Sequence, residues 1–102
     1  MSQAAISESA PGLLRLVGVI DYVSGPALRE QGAKLIGASQ AQSLVLDCAG
    51  VEKSSSVGLA LLLAWLRDAR KAGCSLQIQA LPADLKQIAQ VSGALELLPL
   101  AA

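Results

Sequence analysis

Apolar residues fall in short blocks separated by polar and turn-forming residues, and their spacing changes along the chain. Leu13 to Ile20 runs or alternates apolar, as a strand with one buried face does. Pro11-Gly12 marks a turn before it, and Ala4 to Ser7 reads as a weak edge strand, so an N-terminal hairpin is expected. Asp21 to Pro26 reads as a loop. Pro26 suits the first turn of a helix capped by Ser24 or Gly25, running through Leu28, Leu35 and Ile36 to a stop at Gly37. Ser43 to Cys48 holds the apolar run Leu44-Val45-Leu46, which predicts a central strand closed by Asp47 and followed by a polar loop.

A long helix is predicted from about Ser56 to Gly73, a residue suited to the position just past a helix end. Arg67, Arg70 and Lys71 fall near its C-terminus, where cations suit the dipole. Ser75 to Ala80 alternates as a half-buried strand. Pro82 opens a helix over Ala83 to about Val91, and Gly93 to Leu100 is expected to hold a loop with a last short strand or helix. Strands alternating with helices predict an α/β fold, a small sheet layered with helices. At 102 residues the chain is expected to form one domain, 1–102.

Composition narrows the function. Aromatic residues are 2% of the chain against 53% hydrophobic residues, so the core is aliphatic. Net charge is zero and only Tyr22 and Trp65 are aromatic, which argues against nucleic-acid binding. Charged residues are 16%, few enough that some apolar surface is expected to await a partner, unless small residues cover the exterior. No apolar run approaches the ~20 residues of a membrane-spanning helix, so no direct membrane insertion is expected. The first residues lack the basic and apolar regions of a secretory signal. A cytoplasmic location with Cys48 and Cys74 reduced follows as the expectation, although the two predicted strands allow the thiols to approach one another.

The chain has no histidine, so a Ser-His-Asp or Cys-His centre is impossible. No glycine-rich phosphate loop appears, and Asp21, Asp47 and Glu52 are too scattered to hold a metal. No enzyme, cofactor or metal site is expected. What stands out is Ser54-Ser55-Ser56 before the long helix. A serine there caps the helix, or offers a contact or phosphorylation point at the positive end of its dipole. The helix itself carries a stripe of Leu59, Leu62, Leu63 and Leu66 and a second of Val57, Leu61, Ala64 and Trp65. A helix on one sheet face needs only one stripe. The second meets either a neighbouring helix or a partner protein, with Trp65 as the anchor and the basic residues as solvated face or rim.

Leu44-Val45-Leu46-Asp47, Val51 and Ser55-Ser56-Val57-Gly58-Leu59, with Gly18-Val19-Ile20-Asp21 before the first helix, resemble the signatures of the STAS domain family. The resemblance spans about Leu13 to Leu98 and is strongest to the cytosolic STAS subunits of Mla-type ABC phospholipid transporters. It implies a small mixed β-sheet with helices packed mainly on one face. It implies a non-catalytic subunit that binds an ABC ATPase beside a permease and a substrate-binding membrane subunit, supporting outer-membrane lipid asymmetry. ATP would belong to the ATPase. Ser56 matches the phosphorylated serine of the family's anti-sigma factor antagonists, which supply the alternative function. Ser55 stands where the family usually has Asp, which argues against a kinase-driven switch and leaves docking intact. The expected partner-binding residues are Ser55, Ser56, Val57, Gly58, Leu61 and Trp65, with Ser56 the candidate phosphoacceptor.

Overall fold

The computed structural model describes residues 3–101; residues 1, 2 and 102 of the expected domain span lie outside the described residues. Strands β1 (Ala5–Ala10), β2 (Leu13–Ile20), β3 (Ser43–Ser54) and β4 (Ser75–Gln79) form one sheet in the order β1-β2-β3-β4. β1 and β2 pair antiparallel about Pro11-Gly12, where Gly12 takes a φ of 79° that a side chain disfavours. β2, β3 and β4 run parallel. Helix α1 (Gly25–Ala38) connects β2 to β3, and α2 (Ser56–Lys71) connects β3 to β4. Because each crossover steps to the next strand in the same direction, right-handed connection puts both helices on one face. Helix α3 (Ala83–Val91) packs beside α2.

Burial follows from that layering. Leu14, Leu16 and Ile20 of β2, Leu44, Leu46 and Cys48 of β3, and Leu76 and Ile78 of β4 point into the core with the helices. The residues between them, such as Arg15, Gln77 and Gln79, lie on the open face. The mixed four-stranded sheet with its three helices is the α/β arrangement that the residue pattern predicted and the STAS fold that the family resemblance implied.

Three local expectations change. β3 does not stop near Cys48. It continues to Ser54, because β2 pairs with it out to Ile20 opposite Ser54, across register shifts after Arg15 and after Gly18. These bulges let a polar segment stay in the ladder and re-aim its end. Asp47 therefore closes no strand; its Oδ1 accepts the amide of Ala49. Gly37 does not end α1, which runs to Ala38 and is stopped by extended Ser39. After α3 come both predicted alternatives, a short 3-10 turn over Leu95–Leu97 and a one-residue parallel bridge from Leu100 to Ile78.

The strand register also separates the cysteines. Ser75 donates to the carbonyl of Gln42, so Cys74 lies at the start of the β3–β4 ladder. Cys48 lies six residues further along β3, about 20 Å away at the rise of a strand. The two thiols do not approach one another, and both are free. Burial first, then the charge of Asp47, pushes the Cys48 thiol up to about 12, which keeps it protonated and inert.

Candidate functional site at the carboxyl ends of the parallel strands

The end of β3 and the start of α2 are built from three serines with three different tasks. Ser54 is buried. Its amide donates to Asp84 Oδ2 of α3 at 2.9 Å and its hydroxyl to the carbonyl of Ser55. Ser55 is the N-cap of α2: its backbone is extended and its Oγ accepts the amide of Val57 at 3.2 Å. Ser56 is the first helical residue and is exposed. Capping thus falls to Ser55 and leaves the Ser56 hydroxyl free of that duty. No acidic residue sits in the first turn of α2, so the positive end of its dipole has no carboxylate of its own there.

Gly58 makes this geometry feasible. A Cβ there would lie 2.0 Å from Ser54 Oγ and 3.3 Å from Leu85 Cδ1. The glycine lets the first turn of α2 settle onto the serine loop and α3. It is buried, so its part is clearance within the fold and not contact with a partner.

The loop between β2 and α1 lies alongside. The Ser55 amide donates to the carbonyl of Ile20, which ties the two loops together. Asp21 shapes the β2–α1 loop by accepting the amides of Val23 and Ser24 on Oδ1. The Ser24 amide chiefly, with that of Val23, holds the Asp21 carboxyl below the usual carboxylate range. The Ser24 hydroxyl accepts the Asp21 amide and donates to the carbonyl of Val19. This bracing presents Tyr22 and Val23 to solvent, 82% and 73% exposed. A Cβ on Gly25 would lie 2.8 Å from Val57, so α1 and α2 touch at their first turns. Between them is a shallow groove of about 470 Å³, lined by Tyr22, Pro26, Val57, Ala60 and Arg67 among others.

The site differs from the one read in the sequence. Ser55, Ser56 and half-buried Val57 lie at the surface as expected. Leu61 is buried and reaches solvent only at the groove floor. Trp65 corrects the reading outright. It is 0% exposed, its ring lies against Gly32 of α1, and its Nε1 donates to the carbonyl of Arg29. The second apolar stripe of α2 meets a neighbouring helix, so Trp65 is core and anchors no partner. Tyr22, Val23 and Pro26, exposed beside the serine loop, were not among the expected residues. The available signal was a pair of large apolar residues in the loop after a parallel strand, the end at which open α/β sheets meet ligands.

Comparisons with known proteins place this geometry. The family model of the MlaB STAS domain matches residues 4–99. A chain of the Acinetobacter MlaFEDB complex in an ATP-bound conformation is similar at 25% identity and TM-score 0.77, over 87% of this chain and 93% of that one. An anti-sigma factor antagonist from Mycobacterium paratuberculosis is similar at 25% identity and TM-score 0.76, over 96% of this chain and 83% of that one. The unphosphorylated Bacillus antagonist SpoIIAA shares the fold at 15% identity and TM-score 0.73, over 98% and 89%. No curated protein matches the chain.

Proposed function

The chain belongs to the MlaB STAS domain family, and from that premise we propose that it is a single non-catalytic domain that binds the ATPase of an ABC transporter. The ATPase is MlaF-like, and its complex, with a permease and a substrate-binding membrane subunit, moves phospholipids and maintains outer-membrane lipid asymmetry. ATP is bound by the ATPase. The domain resides in the cytoplasm, held at the inner membrane through the complex. Among the described residues no helix is long and apolar enough to cross a membrane, which suits this placement.

One observation carries the reading: a surface rim of exposed Ser55 and Ser56 with half-buried Val57, beside exposed Tyr22, Val23 and Pro26, at the head of a helix whose first turn holds no acidic residue. Exposed apolar and aromatic side chains with a few free polar atoms beside them suit a protein surface. The similarity to a chain of the MlaFEDB complex supports the choice of partner.

A second reading, an anti-sigma factor antagonist switched at Ser56, is favoured by the equal identity to the Mycobacterium antagonist and by the exposed Ser56 hydroxyl at a helix N-terminus. Affinity purification of the chain from its native cell separates the two. Recovery of an ATPase and a permease, with Ser56 unmodified, is the expected result. Recovery of a serine kinase, with phosphate on Ser56 in the mass spectrum, would replace the transporter reading by the antagonist one.

A further inference from the structure

The Ser56 rim is small for a stable complex, and the rest of α2 offers the missing area. Helix α2 is 16 residues long, about 24 Å at the rise of an α-helix. Its inner side meets the sheet, its Trp65 side meets α1, and α3 packs on its other flank. The outer side beyond Ala60 is left open. There a groove of about 420 Å³ runs between α2 and the 3-10 turn, with Leu63, Leu66 and Leu97 forming its apolar part. Leu97 is 66% exposed and continues the apolar lining of Leu63 and Leu66. Arg67 and Arg70 line the same groove. Among the described residues the ion pairs are Arg29–Asp68 and Lys34–Glu30, so neither arginine has a carboxylate of its own. Ala60 and Arg67 line both this groove and the one beside Tyr22, which makes the two a continuous surface along α2.

We infer that the ATPase covers this surface as well: it places an apolar side chain among Leu63, Leu66 and Leu97 and carboxylates opposite Arg67 and Arg70. Three observations select that occupant. The groove is continuous with the rim at which the ATPase is proposed to dock. A specific interface needs about 800 Å² per partner, and the groove extends the rim along α2 toward that size. The unpaired guanidinium groups call for anionic groups in planar, two-point contact. A flat lipid surface fits a concave groove poorly. The inference rests on the ATPase reading and adds the chemistry of the face that meets this chain.

The test is a titration of the purified ATPase with the wild-type chain, Ser56→Asp, Arg67→Glu and Leu97→Asp, at low and high salt. Arg67 and Leu97 are exposed, and circular dichroism melts of the variants check that each is folded before its binding is read. The expected result is wild-type binding that weakens with salt, and a loss of at least about tenfold for Arg67→Glu and for Leu97→Asp, as expected for contacts worth over about 1.4 kcal/mol. Arg67→Lys should recover part of the loss. If the wild type binds and Ser56→Asp does not, while Arg67→Glu and Leu97→Asp bind as wild type, the extended interface is wrong and the ATPase reading stands. If the wild type fails to bind the ATPase, both fall.

Discussion

The two aromatic side chains of this protein mark two regions built in opposite ways. Trp65 lies at the contact of α1 and α2, fully buried, with its ring on the bare backbone of Gly32. Tyr22 stands in the loop between β2 and α1, beside the start of α2, almost wholly in solvent. The first region spends its largest side chain on joining two helices. The second holds a large side chain out from a braced loop, where it covers nothing within the chain. An apolar residue on a helix reports that something packs on it, and only the neighbour's small residues tell whether that is another helix. Gly32 is the complement that turns Trp65 inward.

The contrast is sharpest in stability. Removing the Trp65 ring leaves a cavity between α1 and α2 that rigid helix backbones cannot close. Trp65→Ala should lower the free energy of unfolding by about 3–5 kcal/mol in urea titration. A loss under about 1 kcal/mol would break the comparison by showing the ring to be dispensable to the core.

Added bulk tests the same contact from the other side. A Cβ on Gly32 would meet Trp65 Nε1 at 2.2 Å, and the indole is walled in. Gly32→Ala should cost about 1–3 kcal/mol through displacement of α1, read as a fall in melting temperature, despite the better helix propensity of alanine. A melting temperature at or above wild type would mean that the ring has room to move.

Tyr22 should behave in the reverse manner. Tyr22→Ala removes no buried surface, so unfolding should change by less than about 0.5 kcal/mol. Binding to the ATPase should weaken by about 2 kcal/mol, the loss typical of an aromatic anchor. Wild-type affinity would take Tyr22 out of the interface and leave the two aromatics differing only in exposure.

Much of this architecture was legible along the chain, and the failures have physical causes. Leu13 to Ile20 and Ala83 to Val91 were marked by turn residues at their ends, and the structure starts and stops them there. Gly73 lies just past the cap of α2 with a φ of 76°, the conformation for which glycine was expected. Val51 to Ser54 read as a loop because its polar residues hide a strand that parallel bulged pairing sustains, and pairing is not local in sequence. At the site, Ser55 and Ser56 could be placed at the head of α2, but which serine caps depends on a one-residue difference in where the backbone turns helical. The role of Trp65 was invisible because Gly32 lies thirty-three residues away on another helix.

The smallest expected change to the fold is also the one that best isolates the docking rim. Ser55 and Ser56 are adjacent, yet only Ser55 closes an orphan amide of α2. Ser55→Ala should therefore cost about 1 kcal/mol of stability. Ser56→Asp should cost nothing and can gain about 0.3–1 kcal/mol, because a carboxylate in the first turn suits a helix end that now has none. At an interface the same carboxylate must be desolvated, and without a cation placed to meet it the cost falls on the complex. Ser56→Asp should thus melt at or slightly above the wild-type temperature while losing the ATPase, and Ser56→Thr, which keeps the hydroxyl, should hold both. Full ATPase binding by Ser56→Asp would show that the start of α2 lies outside the contact and that Tyr22 and Ser56 do not belong to one surface.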